Sequence, residues 1–222
     1  MTYDELLMYA ATGSVLLPVV AGFSRYRTMP RQYRLFLLFC LAGFVNDSTV
    51  YLIKLIYGEY EYANVNNNVY SLVCYLLLVN MYKSWGAWQK RLTSFYLLLA
   101  IGIIWWVVEV VMMQRGTLAT PAVVMFYYLV YIYLSVDAIN GVLVEEKRNL
   151  FKNLKFIIST GLLSAFSIFS MLEVYYLLEL NFSNDMWWFL LRIILVLNTL
   201  LNITFGIALL CIPMRQKFTL PY

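Results

Sequence analysis

Residues 35–58 read LFLLFCLAGFVNDSTVYLIKLIYG. At about 1.5 Å per helical residue, this stretch is long enough to cross a bilayer. Its middle nevertheless reads Asn46-Asp47-Ser48-Thr49, with Lys54 two helical turns further on. An ionised group at that depth costs on the order of a few kcal/mol. It is tolerated where it turns toward a partner or toward water inside a bundle. The stretch therefore predicts a helix with a polar inner face, surrounded by other helices.

Composition points the same way. Hydrophobic residues make up 63% of the 222-residue chain and charged residues 13%. Soluble domains are roughly 45–50% apolar and about 25% charged. The reading is all-α: one polytopic domain (residues 1–222), a seven-transmembrane-helix bundle with no soluble domain. The expected spans are 5–24, 35–58, 69–85, 92–114, 121–144, 156–180 and 186–212. GEYEYANVNNN, residues 58–68, is expected as a polar outer loop between the second and third spans. Asp4 and Glu5 precede the first span and Arg25 and Arg27 follow it, the reverse of a signal sequence.

Charge placement sets the expected orientation. The segments assigned to one side hold Arg25, Arg27, Arg31, Arg34, Lys83, Lys90, Arg91, Lys147, Arg148, Lys152, Lys155, Arg215 and Lys217. The segments assigned to the other side hold Arg115 alone. Short loops rich in lysine and arginine stay cytoplasmic, which predicts the N-terminus outside and the C-terminus inside. The net charge of +4 thus belongs to membrane orientation, and nucleic acid is not an expected partner. Trp85, Trp88, Trp187, Trp188 and many tyrosines fall near span ends, where aromatic belts form. Spans 1–3 and 5–7 share an orientation, and their inner loops align at an offset of 121 residues, Arg27 on Arg148 and Arg34 on Lys155. Identity at that offset is near chance, so the spacing suits two three-helix repeats without establishing them.

The polar residues inside the spans sort into two sets by depth. Lys54, Glu109, Glu173 and Arg192 lie toward the outer side on spans 2, 4, 6 and 7. Two are positive and two negative, so the expectation is a charged outer cluster of mutual pairs inside the bundle. Asp47, Asp137, Asn140, Asn198 and Asn202 lie deeper. Asp137 and Asn140, and likewise Asn198 and Asn202, are spaced to share a helix face. Carboxylates among amides suit an oxygen-lined site for a cation or a proton, or a small polar solute, and these five residues are the expected binding site. The alternative for the amides is interhelical hydrogen bonding. Thr160, Ser164 and Ser167 on span 6 share an arc of about 60° and are expected to let helices pack closely.

Other chemistries are poorly served. There is no histidine, which removes the commonest general base, metal ligand and haem ligand. Cys40, Cys74 and Cys211 fall in apolar runs without metal-ligand spacing and are expected as buried thiols. No enzyme activity, cofactor or metal site is expected. The seven-span plan is shared by microbial rhodopsins and by small carriers built as three, one and three helices. In span 7, VLNTLLNITFGIALL is similar to the last helix of a microbial rhodopsin, including the pair Phe205-Gly206. The position of the retinal lysine there is Asn202, and span 7 has no lysine, so a retinal Schiff base in that span is excluded. The expected function is internal binding of a small polar solute, proton or cation, in the manner of a small carrier. A receptor-like sensor that signals through its basic loops is the alternative. The expected partners are the lipid bilayer, a small-molecule or cation ligand, and a second copy or a signalling protein. The expected location is a plasma membrane of the bacterial inner-membrane kind.

Overall fold

A computed structural model describes residues 3–57, 61–88, 92–113, 120–145, 150, 153–178 and 183–211. Among these the chain is helical, with no strand: α1 (Tyr3–Ser14), α2 (Leu16–Arg25), α3 (Arg31–Tyr57), α4 (Glu61–Ser84), α5 (Leu92–Trp106), α6 (Pro121–Glu145), α7 (Leu154–Leu177) and α8 (Asn184–Leu210). Six segments, with α1 and α2 counted as one, are long and apolar enough to cross a membrane. The exception is α4, whose 24 residues begin EYANVNNN.

Three helices depart from the sequence expectation. The first span is broken at Val15. Pro18 has no N–H to donate to the Ser14 carbonyl four residues back, so the helical ladder fails there. Ser14 Oγ also turns back onto Ala11 O at 2.6 Å. The second departure corrects the loop expected at 58–68: helix α4 starts at Glu61, eight residues before the expected span. Asn66 and Asn68 find partners on neighbouring elements, which helps a polar stretch stay helical beside apolar walls. Third, α5 continues as a π-helical segment, Val107–Met112, which carries Glu109. The wider turn rotates side chains relative to an α-helix, and Glu109 ends only 3% exposed.

The helices close a ring. Helices α1 and α2 pack on α8, then α2 on α3, α3 on α4, α4 on α6, α6 on α7, and α7 on α8. Helix α5 stands outside, against α4 and α6. The ends of the helices that carry Arg25, Arg31, Lys83 and Lys155 form one basic end. Lys155 Nζ donates to Trp85 O at 3.0 Å, and Trp85 Nε1 donates to Gln32 O at 3.0 Å, so α7, α4 and α3 are tied there. Trp85 is buried in this tie against Tyr33 and Tyr82, and so does not sit in an aromatic belt.

The core is aromatic. Tyr75, Tyr82, Tyr127 and Tyr131 are essentially fully buried. A phenol can be buried at that depth when its O–H is hydrogen-bonded. Tyr75 donates to Leu98 O at 2.6 Å, Tyr127 donates to Gly102 O at 2.9 Å, and Tyr82 shares a 2.7 Å bond with Ser135 Oγ. Gly102 is where α5 meets this layer: a Cβ there would collide with the Tyr75 ring.

Candidate functional site

The ring encloses a cavity of about 430 Å³, walled by α3, α4, α6, α7 and α8 and by Val15 at the break between α1 and α2. Helix register orders its lining. At the end remote from the basic loops stand Asn64, Asn67 and Asn68 at the start of α4, Thr120 before α6, and Glu173 one turn from the end of α7. Asn46 and Asp47 come next on α3. Toward the basic end the lining becomes Phe39, Cys40, Cys74, Tyr131, Leu162, Phe166 and Phe205. The side chains below are packed shut: Phe36, Leu37, Leu78, Leu134 and Ile158 are 0–2% exposed.

The polar mouth is fixed by interhelical bonds. Asn66 Nδ2 donates to Asn46 Oδ1 at 2.7 Å, and Asn46 Nδ2 makes a long bond of 3.4 Å to Asp47 Oδ1. The chain of amides holds Asp47 from the α4 side. Thr120 Oγ1 donates to Asn68 Oδ1 at 2.9 Å, and Trp106 Nε1 donates to Asn68 O at 2.8 Å. Asn68 therefore joins α4 to α5 and to the start of α6. On the other wall, Asn202 Nδ2 donates to Ser14 Oγ at 2.9 Å and lies 3.5 Å from Asn198 Oδ1. This bond spans 188 positions of sequence and pins α8 at the break in the first span.

The nine residues singled out from the sequence divide accordingly. Asp47, Asn198 and Asn202 line the cavity together. Asp137 and Asn140 share a face of α6 as expected, but that face is exposed on the outside of the bundle, beside the open flank of Gly141. The two carboxylates of the expected outer cluster occupy different places. Glu173 lines the cavity, and among the described residues none hydrogen-bonds or ion-pairs with it. Glu109 is buried between α5 and α6, where its Oε2 accepts Val123 N–H at 3.0 Å. That amide sits in the first turn of α6. The side-chain oxygen of the residue before a helix commonly accepts such an amide, but the Thr120 hydroxyl instead donates to Asn68 Oδ1 and Glu109 takes the Val123 amide. Glu109 thus caps α6 from another helix, where the helix dipole favours its negative charge. Its Oε1 has no partner among the described residues. Arg192 is exposed on α8, and the Lys54 side chain lies outside the described residues. Thr160, Ser164 and Ser167 are exposed along α7 and pack no neighbouring helix tightly.

Two groups of cavity residues were missed from the sequence. One is the aromatic floor. Tyr127, Tyr128 and Tyr131 recur at one-turn spacing in the middle of α6, too deep for a belt, and that spacing was the available signal. The other is the asparagine run of α4, hidden by its reading as a loop. No lysine or arginine stands among the described residues that line the cavity. Among the described residues, no group of three or more cysteines, aspartates or glutamates comes together to hold a metal ion. Cys40 and Cys74 are both buried in the floor as free thiols, while Cys211 is exposed. Compared with known protein families, curated proteins and solved structures, the chain matches none.

Proposed function

We propose that this chain is a non-enzymatic integral membrane protein that binds a small polar solute or cation inside its helix bundle and carries it across the membrane. The observation that supports this reading most is the cavity, with Asp47 and Glu173 on two non-adjacent helices of the ring and its floor closed toward the basic end. Concave sites of roughly 300–1,000 Å³ with a few convergent polar groups are where small molecules bind. A carboxylate in a membrane-spanning segment is costly and is retained where it meets a ligand, a proton or a partner. A seven-span plan with the basic end cytoplasmic would open the cavity to the outside. Transport then requires the basic end to open in turn, with loss of the Lys155–Trp85 and Trp85–Gln32 bonds. The expected setting is a plasma membrane of bacterial inner-membrane type.

Purified protein in proteoliposomes tests this. Labelled small cations and polar solutes should accumulate, in counterflow, in vesicles that contain the protein and not in empty ones. The tie at the basic end also favours a receptor reading, in which the occupied cavity alters that tie without opening it. Saturable binding with no counterflow for any bound solute would replace the carrier by the receptor.

A further inference from the structure

We infer that the cavity is built for an amphipathic organic ammonium compound, with its ammonium group at Asp47 and Glu173 and its apolar body against the aromatic floor. This deepens the reading above and rests on it.

Three features of the lining lead there. The first is sign. Asp47 and Glu173 contribute negative charge, and no lysine or arginine offsets it among the lining residues described. In a site walled by apolar helices the field of a carboxylate is weakly screened, so an anion is rejected and a cation drawn in. The second is size and donor set. The cavity, at about 430 Å³, is far larger than a bare metal ion, and among the described residues its carboxylates and thiols do not assemble into a metal-binding group. A hard cation such as calcium needs about 6–8 oxygen ligands at close range. An ammonium group needs only a carboxylate and a few acceptors, and asparagine carbonyls at the mouth supply them.

The third feature is polarity along the axis. From Asp47 to Phe39 is eight residues of α3, and from Glu173 to Leu162 is eleven residues of α7. These correspond to about 12 Å and about 16 Å along the helices. Over that depth the lining changes from amides and carboxylates to Tyr131, Phe166 and Phe205. Phe166 is packed with its centroid 4.5 Å from that of Tyr131 and 5.3 Å from that of Tyr128, so the floor is a fixed aromatic surface. A wholly polar cation would leave this floor wet. A ligand with one charged end and one apolar end satisfies both halves, and the aromatic faces along the way attract the ammonium group as well.

The test uses the full-length protein in lipid nanodiscs and four probes: 2-phenylethylamine, ethanolamine, 2-phenylethanol and phenylacetate. A ligand that binds the folded state raises the melting temperature in proportion to the logarithm of its concentration. Phenylethylamine should do so at concentrations at least tenfold lower than ethanolamine or phenylethanol, and phenylacetate should have no effect. Glu173→Gln and Asp47→Asn should each weaken the phenylethylamine response at least tenfold. Glu173 has no bonded partner among the described residues to lose, so its variant should keep the ligand-free melting temperature and serves as the safeguard if Asp47→Asn does not fold. Equal responses to the alcohol and the amine overturn the ammonium assignment while leaving a ligand cavity in place. Equal responses to ethanolamine and phenylethylamine overturn the role of the floor. A phenylethylamine response that survives in both variants, or no response to any of the four, overturns the inference. The broader reading falls as well only if neutral polar solutes also fail to bind.

Discussion

Gly102→Ala is the sharpest test of how the outlying α5 shapes the cavity. In a free helix the change should help, because alanine is favoured over glycine by about 1 kcal/mol. Here the new methyl would enter the Tyr75 ring, with Cζ at 2.5 Å and the hydroxyl oxygen at 2.8 Å. The ring has nowhere to go. It is 0% exposed, stacked on Tyr127 at 4.2 Å between centroids, and held at its tip by the bond to Leu98 O. Overpacking of this kind costs about 1–3 kcal/mol. A buried phenol pushed off its acceptor costs about 1–3 kcal/mol more. After the gain in helix propensity is set against these, a net loss of about 3 kcal/mol remains. For a chain of this length that is a fall of roughly 6–12 °C in melting temperature. Gly141 is the control: nothing lies within 4 Å of a Cβ there, so Gly141→Ala should be neutral or slightly stabilising. Because Tyr127 lines the cavity, Gly102→Ala should also weaken cavity ligands and Gly141→Ala should not. Thermal melts of the two variants in the same nanodiscs decide the matter. Equal melting temperatures for the two would refute this account of the α4–α5–α6 contact.

Other outcomes follow from particular bonds. Tyr82→Phe and Ser135→Ala each strand a buried hydroxyl partner and should cost about 1–3 kcal/mol, whereas the double variant should recover most of one loss; a double-mutant cycle with additive terms would count against the shared bond. Glu109→Leu should destabilise by about 1–3 kcal/mol because Val123 N–H loses its acceptor, and Glu109→Gln, which keeps a carbonyl there, should cost less than half as much in the same melts. Asp137→Asn should leave ligand response in the cavity unchanged, since that side chain points away from the bundle interior; a tenfold loss of response would place it in the site after all.

The sequence by itself determined that this is a helical chain with helices apolar and long enough to cross a membrane, and that Asp47 stands on a polar wall. Those follow from length, composition and the cost of a charge in hydrocarbon, which depend on no neighbour. Spacing also paired Asn198 with Asn202 and Asp137 with Asn140 correctly, because residues three and four apart share a helix face in any fold. Which face turns inward was decided only by the tertiary structure. In a soluble helix the apolar side marks the interior, but beside lipid both sides are apolar and the pattern loses that meaning. Asn202 and Asp137 looked alike in sequence, yet one is bonded to Ser14 in the cavity wall and the other lies outside. The break at Val15 was written in Pro18, but its use as the docking point for Asn202 required α8 to lie against it. Glu109 and Glu173 had the same charge at similar depth. Their separation, one as a cap for α6 and the other as a wall of the cavity, came from the packing of α5 outside the ring, which no local feature of either helix specifies.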